Sequence, residues 1–232
     1  MTRHDEIAAG LARVRDRIAG ACADADRDAG EVRLVVVTKF FPATDVRILA
    51  ELGVRDVGEN RHQEAEAKAA ECADLDLSWH FIGGLQSNKA AAVAAYADVV
   101  ESVDRRKLVA PLSRGAHLRD RPVEVFLQVS LDPPGRDQRS GADPAELDDL
   151  AAAVVEAGGL ELRGLMAVAP LGEDPAAAFG RLADVRTEFL TRHPRADRLS
   201  AGMSSDLEEA IRAGATHVRV GSAVLGSRPQ NL

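Results

Sequence analysis

The feature that most limits the fold of this chain is a rhythm. Short β-branched or apolar runs alternate with longer stretches of helical period from residue 34 to the end. The runs are LVVVT from Leu34, VRDVG from Val54, WHFIG from Trp79, DVVES from Asp98, VEVFLQV from Val123, LRGLMAV from Leu162, RLSAG from Arg198 and HVRVG from His217. A helix between two strands returns the chain in the same direction, so this order demands parallel pairing with helices outside. An open doubly wound sheet and a closed barrel both satisfy that demand. Eight strand candidates favour closure. Most of them are short, as barrel staves are, and no Gly-x-Gly-x-x-Gly turn follows the first to support a dinucleotide fold. The expected architecture is α/β: a (β/α)₈ TIM barrel, a single domain over residues 1–232. An extra N-terminal helix precedes it, with Ile7, Leu11, Val14 and Ile18 on one apolar stripe.

Helix punctuation agrees with that frame. The stripe Val46, Leu49, Leu52 stops at Gly53; Asp143-Pro144 with Glu146 reads as a cap, an N1 proline and a capping box; Asp174-Pro175 opens a helix in the same way. Ser205 with Glu208 reads as a further capping box, closed by Gly214. The segment LDPPGRDQRSGADP after the fifth strand, Asp132 to Gly141 at its centre, reads as a loop over the barrel mouth.

Composition excludes several function classes. A net charge of −8, with no basic run carrying interleaved aromatics, argues against nucleic acid as a partner. No apolar run is long enough for a bilayer, and the start MTRHDEIAAGLARVRDR carries acids and too short an apolar stretch for a signal peptide, so a cytoplasmic protein without a membrane partner is expected. Cys22 and Cys72 lack metal-type spacing and read as reduced structural residues on helices.

In a parallel barrel the functional groups come from the C-terminal ends of the strands. Those ends carry Lys39, Glu59 and Asn60, His80 and the Gly83–Lys89 turn, Ser102, Gln128, Met166, Ser200 to Ser205, and Arg219 to Ser222. Lys39 directly follows VVVT, which aims its amine into the mouth, where it could form an imine with an aldehyde; from position alone an exposed lysine at a loop start is the plainer reading. Ser204 and Ser205, at a helix start, and the Gly221-Ser222 turn after the last strand are suited to an anion, as phosphate sites after strands seven and eight are. N-capping by Ser205 and a simple turn at Gly221 are the plainer alternatives. Arg219 shares a face with Gly221 and points inward if Val218 and Val220 pack under helices, which leaves it in need of a barrel acid such as Glu59 or Glu101. His80 reads as a hydrogen-bonded core histidine, and Asn60 could merely tie down its loop.

The segments VVVTKFFP, GENRHQE, WHFIGGLQSNK, GLMAVAP and LSAGMSSDLEEAIRAGATHVRVGSAVLGSR give the chain, over nearly its whole length, a resemblance to the pyridoxal phosphate homeostasis proteins, the YggS or PROSC family. That resemblance implies a barrel like the N-terminal domain of alanine racemase, with pyridoxal 5′-phosphate (PLP) held as a Schiff base on Lys39. It also implies that Asn60 and Met203 line the cofactor site, that Ser204, Gly221 and Ser222 hold the phosphate, and that Arg219 faces the pyridine nitrogen. Two segments depart from the family pattern: Gly83-Gly84-Leu85-Gln86, where Gly-Pro-Leu-Gln is usual, and DPPGRDQRSG, where relatives carry Glu and Lys-Ser-Gly.

An arginine beside the pyridine nitrogen keeps the ring a weak electron sink, so carbanion chemistry would depend on well-placed bases. The racemase comparison uses the lysine and a tyrosine from an additional domain of a partner subunit. This chain's single tyrosine, Tyr96, lies in the Ala-rich stretch KAAAVAAYAD. The expected function is therefore PLP binding for vitamin B6 homeostasis without robust catalysis, by a monomer with apo PLP-dependent enzymes as candidate partners. The rivals are a racemase or lyase of alanine-racemase type, and an interaction protein that has lost its cofactor.

Overall fold

The computed structural model describes residues 1–132 and 140–227. Eight parallel strands close into a barrel in sequence order: β1 (Arg33–Val37), β2 (Asp56–Glu59), β3 (Ser78–Phe81), β4 (Val99–Val103), β5 (Val123–Gln128), β6 (Leu160–Met166), β7 (Arg198–Ser200) and β8 (His217–Val220). The barrel closes where Arg33 to Val36 pair with His217 to Val220. Around it lie α2 (Ala43–Glu51), α3 (His62–Glu71), α4 (Ala90–Tyr96), α5 (Val109–Ala116), α6 (Leu147–Glu156), α7 (Pro175–Arg192), α8 (Leu207–Arg212) and the short α9 (Ser222–Leu225). The expected extra helix is α1 (Arg3–Asp24), capped by Thr2 and Asp5 in a capping box. Among the described residues no helix is long and apolar enough to cross a membrane.

Strand alternation decides what faces where. Val36, Val57, Trp79, Val218 and Val220 turn outward and pack under the helices with Ile7, Leu11, Val14 and Ile18 of α1. Gly10 lets α1 close on α9, because a Cβ there would strike the carbonyl of Val224. One stave is irregular: Val125 pairs with Leu162 but Phe126 with Gly164, so Arg163 is a bulge. A side chain at Gly164 would collide with the Arg198 carbonyl of the neighbouring strand.

Asp143 and Asp174 cap through their side chains, each followed by an N1 proline, as the sequence suggests; Pro144 opens a 3₁₀ turn ahead of α6, and the expected Asp143–Glu146 capping box does not form. The Ser205–Glu208 capping box does not form. α8 begins at Leu207 with Asp206 as its N-cap. Glu208 is drawn away to α1, where the Arg17 guanidinium grips it through Nε at 2.6 Å and Nη2 at 2.8 Å. Cys22 and Cys72 are free and buried, and burial pushes both thiols up. Residues 133–139 of the expected mouth loop lie outside the described residues. At its roots Ser130 N donates to Ala142 O at 2.9 Å and Ala142 N to Gln128 O at 2.7 Å.

The barrel interior carries a buried polar chain. His80, on β3, bonds through Nδ1 to Glu101 of β4 at 2.7 Å and through Nε2 to Asp56 of β2 at 3.1 Å. Glu101 accepts from Ser200 Oγ at 2.6 Å and lies 3.7 Å from Arg219 of β8. Burial alone would lower the His80 pKa, but the hydrogen bonds and charges of Asp56 and Glu101 outweigh it and raise the ring to about 9. Burial alone would raise Glu101; the hydrogen bond and charge of His80, then Arg219, hold it down at about 2. His217, by contrast, is pushed down to about 4, mainly by burial.

These shifts set a pH dependence of stability. The share due to His80 is complete below its ordinary value of 6.5 and is lost as pH rises through about 9. The share due to Glu101 is complete above 4.5 and is lost as pH falls towards about 2. Glu101→Gln should cost about 3–5 kcal/mol, as breaking a buried pair does, and flatten the acid side of the urea-midpoint profile. His80→Gln should flatten the alkaline side; unchanged profiles in both variants would remove the chain from the stability account.

Candidate functional site

Lys39 leaves β1 at the C-terminal mouth, one residue after Thr38, which is fully buried. The chain then turns sharply, because Phe40 adopts the left-handed region at φ 71°. That conformation is costly for a residue with a large side chain, so it must be held by its surroundings. Barrel closure sets the end of β8 beside it. A Cβ on Gly221 would lie 3.1 Å from the Val37 carbonyl oxygen, so glycine lets the β8 exit press against the β1 exit.

Between these exits lies a cavity of about 290 Å³, lined by Lys39, Met203, Ser204, Arg219, Gly221 and Ser222 together with apolar neighbours such as Val37 and Ile82. Every candidate residue except Asn60 is therefore on one wall system. Asn60 lines a separate, larger recess of about 550 Å³ with Arg61, Gln86 and Lys89, and its Oδ1 is buried without a hydrogen-bond partner. Chemistry favours the smaller cavity, which combines a primary amine, a buried guanidinium and a Gly-Ser turn.

Arg219 points inward as alternation requires and is 4% exposed. It donates through Nη1 to Ser200 Oγ at 2.6 Å and through Nη2 to Ala167 O at 2.8 Å. Its ionic partner is Glu101 rather than Glu59. Glu59 sits one residue out of phase, on the helix-facing side of β2, where it bonds Lys68 at 2.7 Å. Burial pulls the guanidinium pKa down, while Glu101 and Asp206 oppose that; arginine stays charged, a donor with no acceptor.

The loop after β7 is braced from two sides. Asp206 accepts from the Met203 amide at 2.6 Å, and Arg17 Nη1 donates to the Ser204 carbonyl at 2.9 Å. The N-terminal helix thus fixes the loop after β7, a link no local pattern announces. His80 is the hydrogen-bonded core histidine that was expected, but its partners Asp56 and Glu101 come from other strands and were not foreseen. At Gly84 a side chain would meet nothing within 4 Å, so the departure from the family's proline opens no clash and relieves none. Tyr96 lies off the cavity, stacked on His62 at 5.8 Å between ring centroids. Among the described residues no cluster of His, Cys, Asp or Glu is placed to hold a metal ion.

The family described as "Alanine racemase, N-terminal domain" matches residues 13–229. The pyridoxal phosphate homeostasis protein of Mycobacterium tuberculosis (strain ATCC 25618 / H37Rv) is 45% identical over 245 residues, covering 97% of this chain and 94% of that one. The protein of the same name from Escherichia coli (strain K12) is 38% identical over 230 residues, covering 97% of each. Among solved structures, PipY of Synechococcus elongatus PCC7942 with PLP bound superposes with a TM-score of 0.81 at 37% identity, covering 95% of this chain and 100% of that one. Alanine racemase from Corynebacterium glutamicum shares the fold, with a TM-score of 0.67 at 17% identity, 99% of this chain matching 62% of that one. With a barrel of alanine-racemase type and these relatives along almost its full length, the chain belongs to the family of pyridoxal phosphate homeostasis proteins.

Proposed function

We propose that this protein binds PLP reversibly in the 290 Å³ cavity and serves vitamin B6 homeostasis as a carrier. The observation that carries the reading is the meeting of Lys39, Arg219 and the Gly221-Ser222 turn on one cavity. The donor set fits the cofactor at each of its ends. Gly221 leaves the backbone open to close approach by a phosphate, and Ser204 and Ser222 add hydroxyl donors. Arg219 lies deeper, where its fixed fork suits an unprotonated pyridine nitrogen. Met203 adds an apolar lining to the same cavity, and the buried Oδ1 of Asn60, unpartnered, is a further acceptor in a separate recess.

Bound PLP supplies an aldehyde that condenses reversibly with a primary amine, and Lys39 is the amine on the cavity wall. Arg219 can donate to the ring but can take no proton from it, so the protein's own groups give little help to carbanion formation. Tyr96, off the cavity and stacked on His62, is no second base there. The relatives' name, homeostasis protein, accords with storage rather than turnover. We take the working form to be a cytoplasmic monomer whose acceptors are apo PLP-dependent enzymes.

Purified protein loaded with PLP should show a visible-range Schiff-base absorption that borohydride fixes onto Lys39 in peptide maps. Label on another residue, or none, would sink the assignment. Arg219→Gln should shift that absorption while leaving binding within about tenfold, because the phosphate contacts and the covalent link remain; an unmoved spectrum would deny Arg219 its place at the ring. Holoprotein incubated with each L- and D-amino acid should give no sustained turnover. Turnover that disappears in Lys39→Ala would replace the carrier by the racemase or lyase reading.

A further inference from the structure

Behind Lys39, on the helix side of the first two strands, lies a largely buried ionic cluster none of whose members lines the 290 Å³ cavity. Lys68 of α3 is 6% exposed. Its ammonium donates to Glu59 Oε1 at 2.7 Å, to Glu64 Oε1 at 2.6 Å and to the backbone carbonyl of Thr38 at 2.8 Å. Three donors meet three acceptors, so the ammonium is fully satisfied. Glu59 Oε1 also accepts from the Thr38 hydroxyl at 2.7 Å. Glu64 Oε1 accepts from the backbone amide of Phe40 at 2.6 Å.

The two backbone groups caught by this cluster are the carbonyl just before Lys39 and the amide just after it. Both peptide groups that orient the Lys39 Cα are therefore fixed by α3. Phe40, the residue that must be held at φ 71°, is the one whose amide Glu64 takes. Its ring lies under the Arg61 guanidinium at 4.9 Å, a second hold from the same helix end. A cluster that served only to join β2 to α3 would need no bond to either side of Lys39.

We infer that Lys68, acting through Glu64 and Glu59, is a positioning residue that aims the Lys39 amine at the cofactor aldehyde. The inference rests on the Lys39 reading above. The step it serves is a condensation: the lone pair of the neutral Lys39 amine forms the new C–N bond, the carbonyl oxygen departs as water, and no oxidant or reductant takes part. A misaimed amine slows that step, while the phosphate and ring contacts proposed for Ser204, Arg219, Gly221 and Ser222 come from the far end of the barrel and are untouched.

The test uses the full chain, free of cofactor, as wild type, Lys68→Met, Glu64→Ala and Glu64→Gln. Three quantities are measured: the rate at which the Schiff-base absorption forms with PLP, the Kd for pyridoxine 5′-phosphate, which has no aldehyde, and hydrogen exchange at the Phe40 amide. Lys68→Met and Glu64→Ala should slow Schiff-base formation about tenfold or more and speed Phe40 exchange, with pyridoxine 5′-phosphate affinity within about twofold of wild type. Glu64→Gln, whose amide oxygen still accepts from Phe40, should recover most of the rate. Wild-type rates in Lys68→Met and Glu64→Ala overturn the inference, and so does an equal loss of rate and of pyridoxine 5′-phosphate affinity. If Lys68→Met does not fold, the Glu64 pair decides by the same criteria. Borohydride labelling of the wild type separates the two levels: label on Lys39 with unaltered variant rates defeats the positioning role alone, and label elsewhere defeats both.

Discussion

Four residues of β1, Arg33 to Val36, pair with four of β8, His217 to Val220, and this ladder joins the two ends of the sequence. Without it Lys39 and Arg219 would belong to opposite edges of an open sheet. With it the β1 and β8 exits touch at Val37 and Gly221, and the cavity takes shape in the angle between them. The make-up of the cavity is thus a consequence of closure: a primary amine from the start of the barrel is set against a guanidinium and a Gly-Ser turn from its end.

The interior chain from Asp56 through His80, Glu101 and Ser200 to Arg219 serves that corner. A guanidinium buried in a barrel needs a counter-charge and fixed acceptors, and here Glu101, Ser200 Oγ and Ala167 O provide them. Glu101 is in turn oriented by His80, and His80 by Asp56. The set of partners leaves Arg219 rigid and charged. Rigidity at this position, rather than mobility, agrees with the place at the ring proposed above for Arg219.

Much of the fold was legible because its signals are local. Strand runs, the stripe of α1, the proline-led helix starts at Pro144 and Pro175 and the stop at Gly53 depend on neighbours a few residues away. Alternation likewise placed Arg219 inside and Val218 and Val220 outside. What could not be read depends on partners far apart in sequence. Ser205 and Glu208 have the spacing of a capping box, yet Arg17, from the other end of the chain, claims Glu208. Glu59 and Glu101 were equal candidates for Arg219 until the phase of β2 turned Glu59 towards α3. The bulge at Arg163 leaves no mark that distinguishes it from an ordinary strand residue. At the site, all candidate residues but Asn60 line one cavity; Asn60 follows a strand end too, but Gly83 packs against its backbone and it lines a different recess.

The tie between Arg17 and the Ser204 carbonyl spans 187 positions of the chain. A contact of such sequence separation forms late, after the loop-closure entropy of nearly the whole molecule has been overcome. As the polypeptide emerges during synthesis, α1 comes first and exposes its apolar stripe, while the surface that covers it, α8, β8 and α9, comes last. Until then the Lys39 amine has no cavity around it and the turn at Ser204 has no brace. A nascent chain therefore presents Lys39 without its cavity, and the cavity arises only as the eighth strand locks in.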